Sequence, residues 1–334
     1  MKYKVSVCII SYNQEAFIAS AIEGALLQKT DFEYEILISD DCSTDKTPEI
    51  IAKYKSRFPS KINVIKNQKN VGFLNNFDRA IRACQGEIIA YCEGDDYWIC
   101  EDKLQIQYDI LTKYSDVSFV HGSWTDFEEI NGTYHQRPYT KKIIFNEPFS
   151  FERLISYNPT HALRFSSICF RKSQILEILD SDYELYHDNK YKANDYSLKL
   201  ALLMKGRDVF IDKPIVLYRR LKESVSITQD QEKRYSFVLG VLLGNIRNYK
   251  KYNIPQEFVN KALKHYVSSV YKYACVYGAR SEIKELSCSL KNIGYKFSLF
   301  QYFLYYGMHF RFLYRVACIL EKIFAVCRII RNEF

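Results

Sequence analysis

Ile88-Ile89-Ala90-Tyr91-Cys92-Glu93-Gly94-Asp95-Asp96 is the stretch on which the reading of this chain turns. The apolar run Ile88–Cys92 reads as a buried strand. Three carboxylates and a glycine at its end are poor core material, because a buried carboxylate without a partner is costly. Carboxylate oxygens are what hard divalent cations prefer, and Mg²⁺ or Mn²⁺ commonly bridges such groups to a substrate phosphate. Two readings follow: a metal site that holds a diphosphate, or a solvated acidic turn that caps the next helix.

Upstream, the chain alternates between the two periodicities. Val5–Ile10 is an apolar strand broken by Ser11-Tyr12-Asn13, and Ala16–Leu27 has helical spacing. Tyr34–Ser39 is a second strand and ends in Asp40-Asp41. Thr47-Pro48-Glu49 reads as a helix start, with a hydroxyl cap, proline at the first helical position and an acid in the first turn. Ile62–Ile65 is a short strand, Asn70-Val71-Gly72 a turn, Asn75–Cys84 a helix, and Glu87–Cys92 the fourth strand. Such alternation implies right-handed crossovers and a mainly parallel α/β sheet. Ligands of such sheets bind beyond the carboxyl ends of the strands. Ser11-Tyr12-Asn13, Asp40-Asp41 and Glu93–Asp96 all fall there, so the expected fold gathers them on one rim.

Downstream the pattern is less regular. Asp102–Tyr114 reads as a helix, Val117–His121 and Ser167–Phe170 as strands, 194–203 as a helix opening with Asn194-Asp195, and Val209–Ile211 and Ile215–Tyr218 as short strands. Long helical runs rich in Tyr, Phe, Lys and Arg follow Gln229, so a boundary is expected near 228–232. The charge changes there too. Residues 231–334 carry 17 Lys and Arg against 6 Glu and no Asp, whereas the first 230 residues are nearly neutral. The ten cysteines include no Cys-x-x-Cys and several sit in apolar runs, which suits free thiols in a reducing compartment. Val5–Ile10 is too short for a secretory core. No Gly-x-Gly occurs anywhere, which argues against a dinucleotide-dependent oxidoreductase on a doubly wound sheet.

Several segments, taken in order, resemble the family 2 glycosyltransferases of the GT-A fold over roughly residues 3–228. Val5 to Asn13 resembles the family's opening strand and its Tyr-Asn turn. Ser39-Asp40-Asp41-Cys42-Ser43-Thr44-Asp45 is similar to its Asp-Asp-x-Ser-Thr-Asp segment. Asn70-x-Gly72, Ala80, Ala83 and Gly86-Glu87-Ile88 resemble the approach to its Asp-x-Asp motif, whose place Glu93-x-Asp95-Asp96 takes. Asn194-Asp195 lies where the family has a Glu-Asp pair, and Tyr218-Arg219 with Ser224 and Ser226 resembles its Tyr-Arg-x-His-x-x-Ser-x-Ser segment. Two departures stand out: Glu93 replaces the first acid of the motif, and Leu221 stands where the family has His.

The resemblance implies a GT-A, Rossmann-like, mainly parallel sheet flanked by helices over 1–228. Its nucleotide-sugar half would be 1–100 and its acceptor half 101–228, with a basic, aromatic helical region at 229–334. It implies a metal-dependent, inverting transfer of a sugar from a nucleotide donor, UDP-linked by expectation, to a hydroxyl of a glycan or lipid-linked glycan. The implied process is assembly of a bacterial surface polysaccharide such as capsule, O-antigen or lipooligosaccharide, at the cytoplasmic face of the membrane. Asp95 would hold Mn²⁺ or Mg²⁺, with Glu93 and Asp96 bound to water, ribose or the outer sphere. Asp41 would accept from the nucleobase, or else support its own turn. Ser11, Tyr12, Asn13, Asn70 and Gly72 would shape the nucleotide loops, and Arg219 would face phosphate or join a surface ion pair. Asp195 would be the base for the acceptor hydroxyl, or a first-turn acid complementing the helix dipole, with Asp188 the fallback. Trp98 offers either a sugar platform or core packing. His161, a lone histidine, reads as structural.

Phe297–Phe310 is uncharged but too short to span a bilayer. Downstream of it, Arg311, Arg315 and Lys322 fall on one helical stripe, with Phe312, Val316, Ile319, Ile323 and Phe324 elsewhere on the helix. That pattern suits an amphipathic helix lying on a membrane surface, or a cap on this chain or on a second copy. Nothing resembles a nucleic-acid-binding motif. The alternative to an enzyme is a non-catalytic, membrane-associated nucleotide-sugar-binding protein of the same fold.

Overall fold

The computed structural model describes residues 3–130, 133–136, 164–192, 194–220, 230–277 and 280–307. They divide into two compact units, one of residues 1–189 and 194–222 and one of 190–193 and 223–334.

The first unit is built on a nine-stranded sheet. Its elements in chain order are β1 (Val5–Ser11), α1 (Ile18–Leu26), β2 (Tyr34–Asp40), α2 (Thr47–Arg57), β3 (Ile62–Lys66), α3 (Phe73–Ala83), β4 (Ile88–Glu93) and β5 (Tyr97–Trp98). Then come α4 (Lys103–Lys113), β6 (Val117–Ile130), β7 (Thr133–Gln136), a 3₁₀ turn (Phe165–Ser167), β8 (Cys169–Arg171), α5 (Lys172–Ser181), α6 (Tyr183–His187), α7 (Asn194–Leu203) and β9 (Arg207–Arg220). The strand order is β3-β2-β1-β4-β8-β6-β9-β5, with β7 paired to β6. β1 to β4 are parallel, as the alternation predicts. β8 then runs antiparallel to both β4 and β6, and β5 antiparallel to β9, so the far side of the sheet is mixed.

All seven residues of β1 and of β2 are buried, the signature of strands covered on both faces. On one face Val5, Val7 and Ile9 pack with Ile22 of α1, Ile51 of α2 and Leu104 of α4. On the other, Phe77 of α3 meets the ring of Tyr91 edge-on at 5.4 Å. Two local readings change. Val209–Ile211 and Ile215–Tyr218 belong to one strand, because β9 pairs along β6 through three register shifts and carries Pro214 without breaking. The hydroxyl of Thr47 does not cap α2. It accepts the Gln14 backbone N–H at 2.8 Å and ties α2 to the loop after β1.

The second unit is helical: α8 (Gln231–Lys251), α9 (Gln256–Tyr277), α10 (Arg280–Asn292) and α11 (Leu299–Gly307). Asp230 caps α8 by accepting the backbone N–H groups of Glu232 and Lys233. Leu242, Leu263, Val267, Tyr271, Leu286, Leu290 and Leu304 form its interior, where the Tyr271 hydroxyl meets Ser287 Oγ at 2.6 Å. Among the described residues no helix is long and apolar enough to cross a membrane. The amphipathic stripe expected from Arg311 to Phe324, Leu221 with Ser224 and Ser226, and His161 lie outside the described residues.

Candidate active site

Register fixes the rim. Ser11 pairs with Asp40 across β1 and β2, and Ile10 pairs with Glu93 across β1 and β4. Parallel neighbours end together, so three polar strand ends separated by dozens of residues meet at one edge.

The loops after β1 and β2 interlock. Asn13 adopts a left-handed backbone (φ 52°), which Asn tolerates better than most side chains, and so does Cys42 (φ 61°). The Asn13 N–H donates to Ser43 Oγ at 2.9 Å, and the Thr44 N–H donates to Asn13 Oδ1 at 2.8 Å. Ser43 in turn donates to Asp40 at 2.5 Å. Tyr12 projects outward and Ser11 is buried. Asp41, itself buried, accepts from Asn67 Nδ2, Val71 N–H and Gly72 N–H, each at 2.9 Å. Asn70 Oδ1 also accepts from the Gly72 N–H at 3.0 Å. Gly72 sits at φ 84°, a backbone that side-chain-bearing residues rarely adopt. The carboxylate of Asp41 therefore organises the 70–72 loop. A carboxylate has about four acceptor sites, and Asn67 with the loop takes three of them.

The acidic motif is built differently. Gly94 N–H donates to Ile10 O at 3.0 Å, and a Cβ at Gly94 would lie only 3.1 Å from that oxygen and would displace the Gln14 side chain, so glycine eases the close approach of the loop to β1. The Asp96 N–H donates to Glu93 O at 3.0 Å, closing a tight turn. Asp96 is buried and faces inward. It accepts the Arg219 N–H at 3.3 Å and is hydrogen-bonded by Ser166. Arg219 Nη1 donates to the Asp95 carbonyl at 2.7 Å, so its guanidinium braces the motif. Ser166 Oγ also accepts the Glu93 N–H at 3.1 Å.

These carboxylates crowd one another. Burial, then Asp95, pushes Asp96 up to about 7. Burial, then Asp95, Asp96 and Asp195, raises Glu93 well above the usual range, with Lys199 opposing. Asp95 is raised by burial, partly offset by its own N–H and by Arg219. Glu93 thus lies within the field of Asp195, more than a hundred residues away in sequence, and α7 brings that acid to the motif. Lys199 Nζ, buried on the same helix, holds Asp195 at 3.0 Å.

Among the described residues no three His, Cys, Asp or Glu side chains converge to form a metal cage. Even so, the donors fit a hard cation. They are carboxylate oxygens, under-neutralised and partly open at Asp95, and they suit an ion that takes its other ligands from phosphate and water.

Trp98 is 2% exposed, donates from Nε1 to Ser166 O at 3.0 Å, and lies under the buried ammonium of Lys103, 3.8 Å from the ring centre. Its ring packs in the core, the second of the two readings of this residue. Asp188 ends α6. The sequence reading missed Asn67, Ser166 and Lys199. Each acts through a hydrogen bond to a residue distant in sequence, or, for Lys199, through an ordinary i,i+4 spacing that a solvated helix would also show.

A curled mixed sheet with flanking helices and a polar rim at the carboxyl ends of its parallel strands defines a GT-A-like fold. The fold matches that of TarS from S. aureus, solved with UDP-GlcNAc (TM-score 0.60, 20% identity, 91% of this chain and 87% of that one). It also matches the mannosyltransferase PcManGT from Pyrobaculum calidifontis, solved with GDP-Man and Mn²⁺ (TM-score 0.53, 16% identity, 96% and 88%). The family described as "Glycosyl transferase family 2" matches residues 6–189, more than half of the chain, and this protein belongs to it. Among curated relatives, the Escherichia coli UDP-Glc:alpha-D-GlcNAc-diphosphoundecaprenol beta-1,3-glucosyltransferase WfgD is 30% identical over 122 residues, 36% of this chain and 46% of that protein. The putative teichuronic acid biosynthesis glycosyltransferase TuaG of Bacillus subtilis is 32% identical over 111 residues, 33% and 43%. An uncharacterised Mycobacterium bovis protein is 42% identical over 114 residues, 34% and 33%. The matched stretches span less than half of each of these relatives.

Proposed function

We propose that this chain is an inverting glycosyltransferase that moves a sugar from a UDP-linked donor to a hydroxyl of a glycan or lipid-linked glycan in bacterial surface-polysaccharide synthesis. One observation carries the reading: Glu93, Asp95, Asp96 and Asp195 interact electrostatically at the rim where β1, β2 and β4 end. Family membership and the names of WfgD and TuaG support the process.

In this reading Asp41 and the 70–72 loop receive the base, while Ser11, Tyr12 and Asn13 border the nucleotide. Asp95, with oxygens of the donor's diphosphate, would hold Mn²⁺ or Mg²⁺, an ion that stabilises negative charge on the leaving group. Asp96 and Glu93 fix the turn that presents Asp95, and Arg219 braces it. Asp195, oriented by Lys199, takes the proton from the acceptor hydroxyl. That oxygen bonds to the anomeric carbon as the bond to the diphosphate breaks, and nucleoside diphosphate departs. One in-line displacement inverts the configuration, with no covalent intermediate on the protein. The basic C-terminal region would hold the enzyme on the inner face of the cytoplasmic membrane.

The test is a panel of UDP-, GDP- and dTDP-sugars, with and without Mn²⁺, followed by thermal shift and nucleoside diphosphate release. A selective shift with a UDP-sugar is expected, because binding raises apparent stability by mass action. Asp195→Asn should bind donor like the parent and stop transfer. If no donor is bound or turned over, the reading fails. If Asp195→Asn transfers at the parental rate, the base is another group.

A further inference from the structure

Arg164 lies within the stretch that matches the family, but in none of the motifs named from the sequence. It immediately precedes the 3₁₀ turn Phe165–Ser167, whose Ser166 holds the acidic motif. Its guanidinium lies 3.5 Å from the centre of the Tyr218 ring and 5.2 Å from that of Trp124. Its charge reaches Asp96 and lowers that group's proton affinity, yet the two form no closed ion pair. Its Nε is buried and lacks a hydrogen-bond partner.

A stacked guanidinium uses its face on the ring and keeps its edge, a rigid fork of N–H donors, for an oxyanion. A buried donor left unmade is costly, so such a position calls for an oxygen from outside the protein, that of a water or of an oxyanion. The 3₁₀ turn ties that fork to the motif through Ser166, two residues away. We propose that Arg164 is a binding residue for a phosphate oxyanion at this site. The inference rests on the proposed function only for which phosphate is meant, that of the donor's diphosphate or one carried by the acceptor.

Calorimetric titration of the full chain distinguishes the sources. UDP against uridine, in the presence of Mn²⁺, probes the donor phosphates. Geranyl diphosphate against geraniol, added to the protein with and without excess UDP, probes an acceptor phosphate. Arg164→Gln should weaken one of the two phosphate ligands about tenfold or more, the scale of a lost charge-assisted hydrogen bond, and leave uridine and geraniol unchanged. Arg164→Lys should recover part of the affinity, since it keeps the charge and loses the fork. Arg164→Met keeps much of the packing on Tyr218 and should match Arg164→Gln in affinity. If Arg164→Gln binds UDP and geranyl diphosphate within twofold of the parent, the inference is overturned, while parental UDP binding keeps the nucleotide-sugar reading alive. If the parent protein binds neither ligand, both fail. If it binds geranyl diphosphate but not UDP, only the nucleotide reading fails, and the Arg164 variants still decide the inference.

Discussion

At the end of β2 (Tyr34–Asp40) the acids are filled with donors. Asp40 takes Ser43 twice, through its hydroxyl and its N–H, and Asp41 takes three N–H groups. At the end of β4 (Ile88–Glu93) the acids mainly face one another, and burial with mutual repulsion raises their affinity for protons. Both corners lie on one rim and use one residue type. The difference teaches that a carboxylate's role follows from its supply of donors. An acid well supplied with donors orders its loop, whereas a poorly supplied cluster is where the proposed cation would bind.

The largest expected effect tests the starved corner. Asp95→Asn should cost about 10³-fold in turnover, the scale of removing a major electrostatic stabiliser of a transition state. The melting temperature should stay level or rise, because the change removes a like charge. Turnover and melting measured together give the outcome. Parental turnover would show that this corner is a plain acidic turn.

The saturated corner should respond in stability. Asp41→Ala leaves the Val71 N–H and an Asn67 N–H without an acceptor, while the Gly72 N–H keeps Asn70 Oδ1, at a cost of about 2 kcal/mol, or roughly 4–8 °C in melting temperature for a unit of this size. Chemical denaturation of the variant checks it. A variant as stable as the parent that has nonetheless lost UDP binding would move Asp41 from scaffold to ligand contact and erase the contrast.

How much of the contrast was written in the sequence varies by residue. The strands β1, β2 and β4, and the polar ends they deliver, follow from apolar runs and breaks, because local periodicity decides them. The antiparallel insertion of β8 (Cys169–Arg171) between β4 and β6 does not follow, since pairing across long separations leaves no local trace. Asp40-Asp41 and Asp95-Asp96 look alike on paper. Asn67, the 71–72 backbone and Ser166 tell them apart, and those partners appear only in three dimensions. Trp98 shows the same limit: a tryptophan beside an acidic motif reads equally well as platform or core until its indole N–H is seen to donate to Ser166 O.

Proton linkage separates the corners further, in protein freed of metal by chelation. A carboxyl whose folded pKa lies above its unfolded value keeps its proton longer in the folded state. Its contribution to stability is therefore present at low pH and is lost as pH rises toward the folded pKa. With Asp96 at about 7, the parent should lose stability relative to Asp96→Asn between roughly pH 4 and 7. Adding Mn²⁺ above pH 7 should restore it in the parent. Melting curves across that range, parent against variant, decide the matter: parallel curves would mean that the cluster is already neutralised by groups within the protein.

The smallest effect concerns the loop that Asp41 holds. Gly72 combines φ 84° with close approach, since a Cβ there would lie 2.9 Å from Asn189 Oδ1. Gly72→Ala should cost about 1–2 kcal/mol from backbone strain. The contact adds less, because the Asn189 side chain can swing away. Asp41 still holds the 71–72 N–H groups in the variant, so strain and hydrogen bonding oppose each other at one residue. If the hydrogen bonds prevail, Gly72→Ala keeps the loop shape and UDP affinity falls no more than a few-fold. A drop as large as that of Asp41→Ala would mean that the glycine's conformation, rather than the carboxylate's donors, sets the loop, and the saturated corner would owe its order to its backbone.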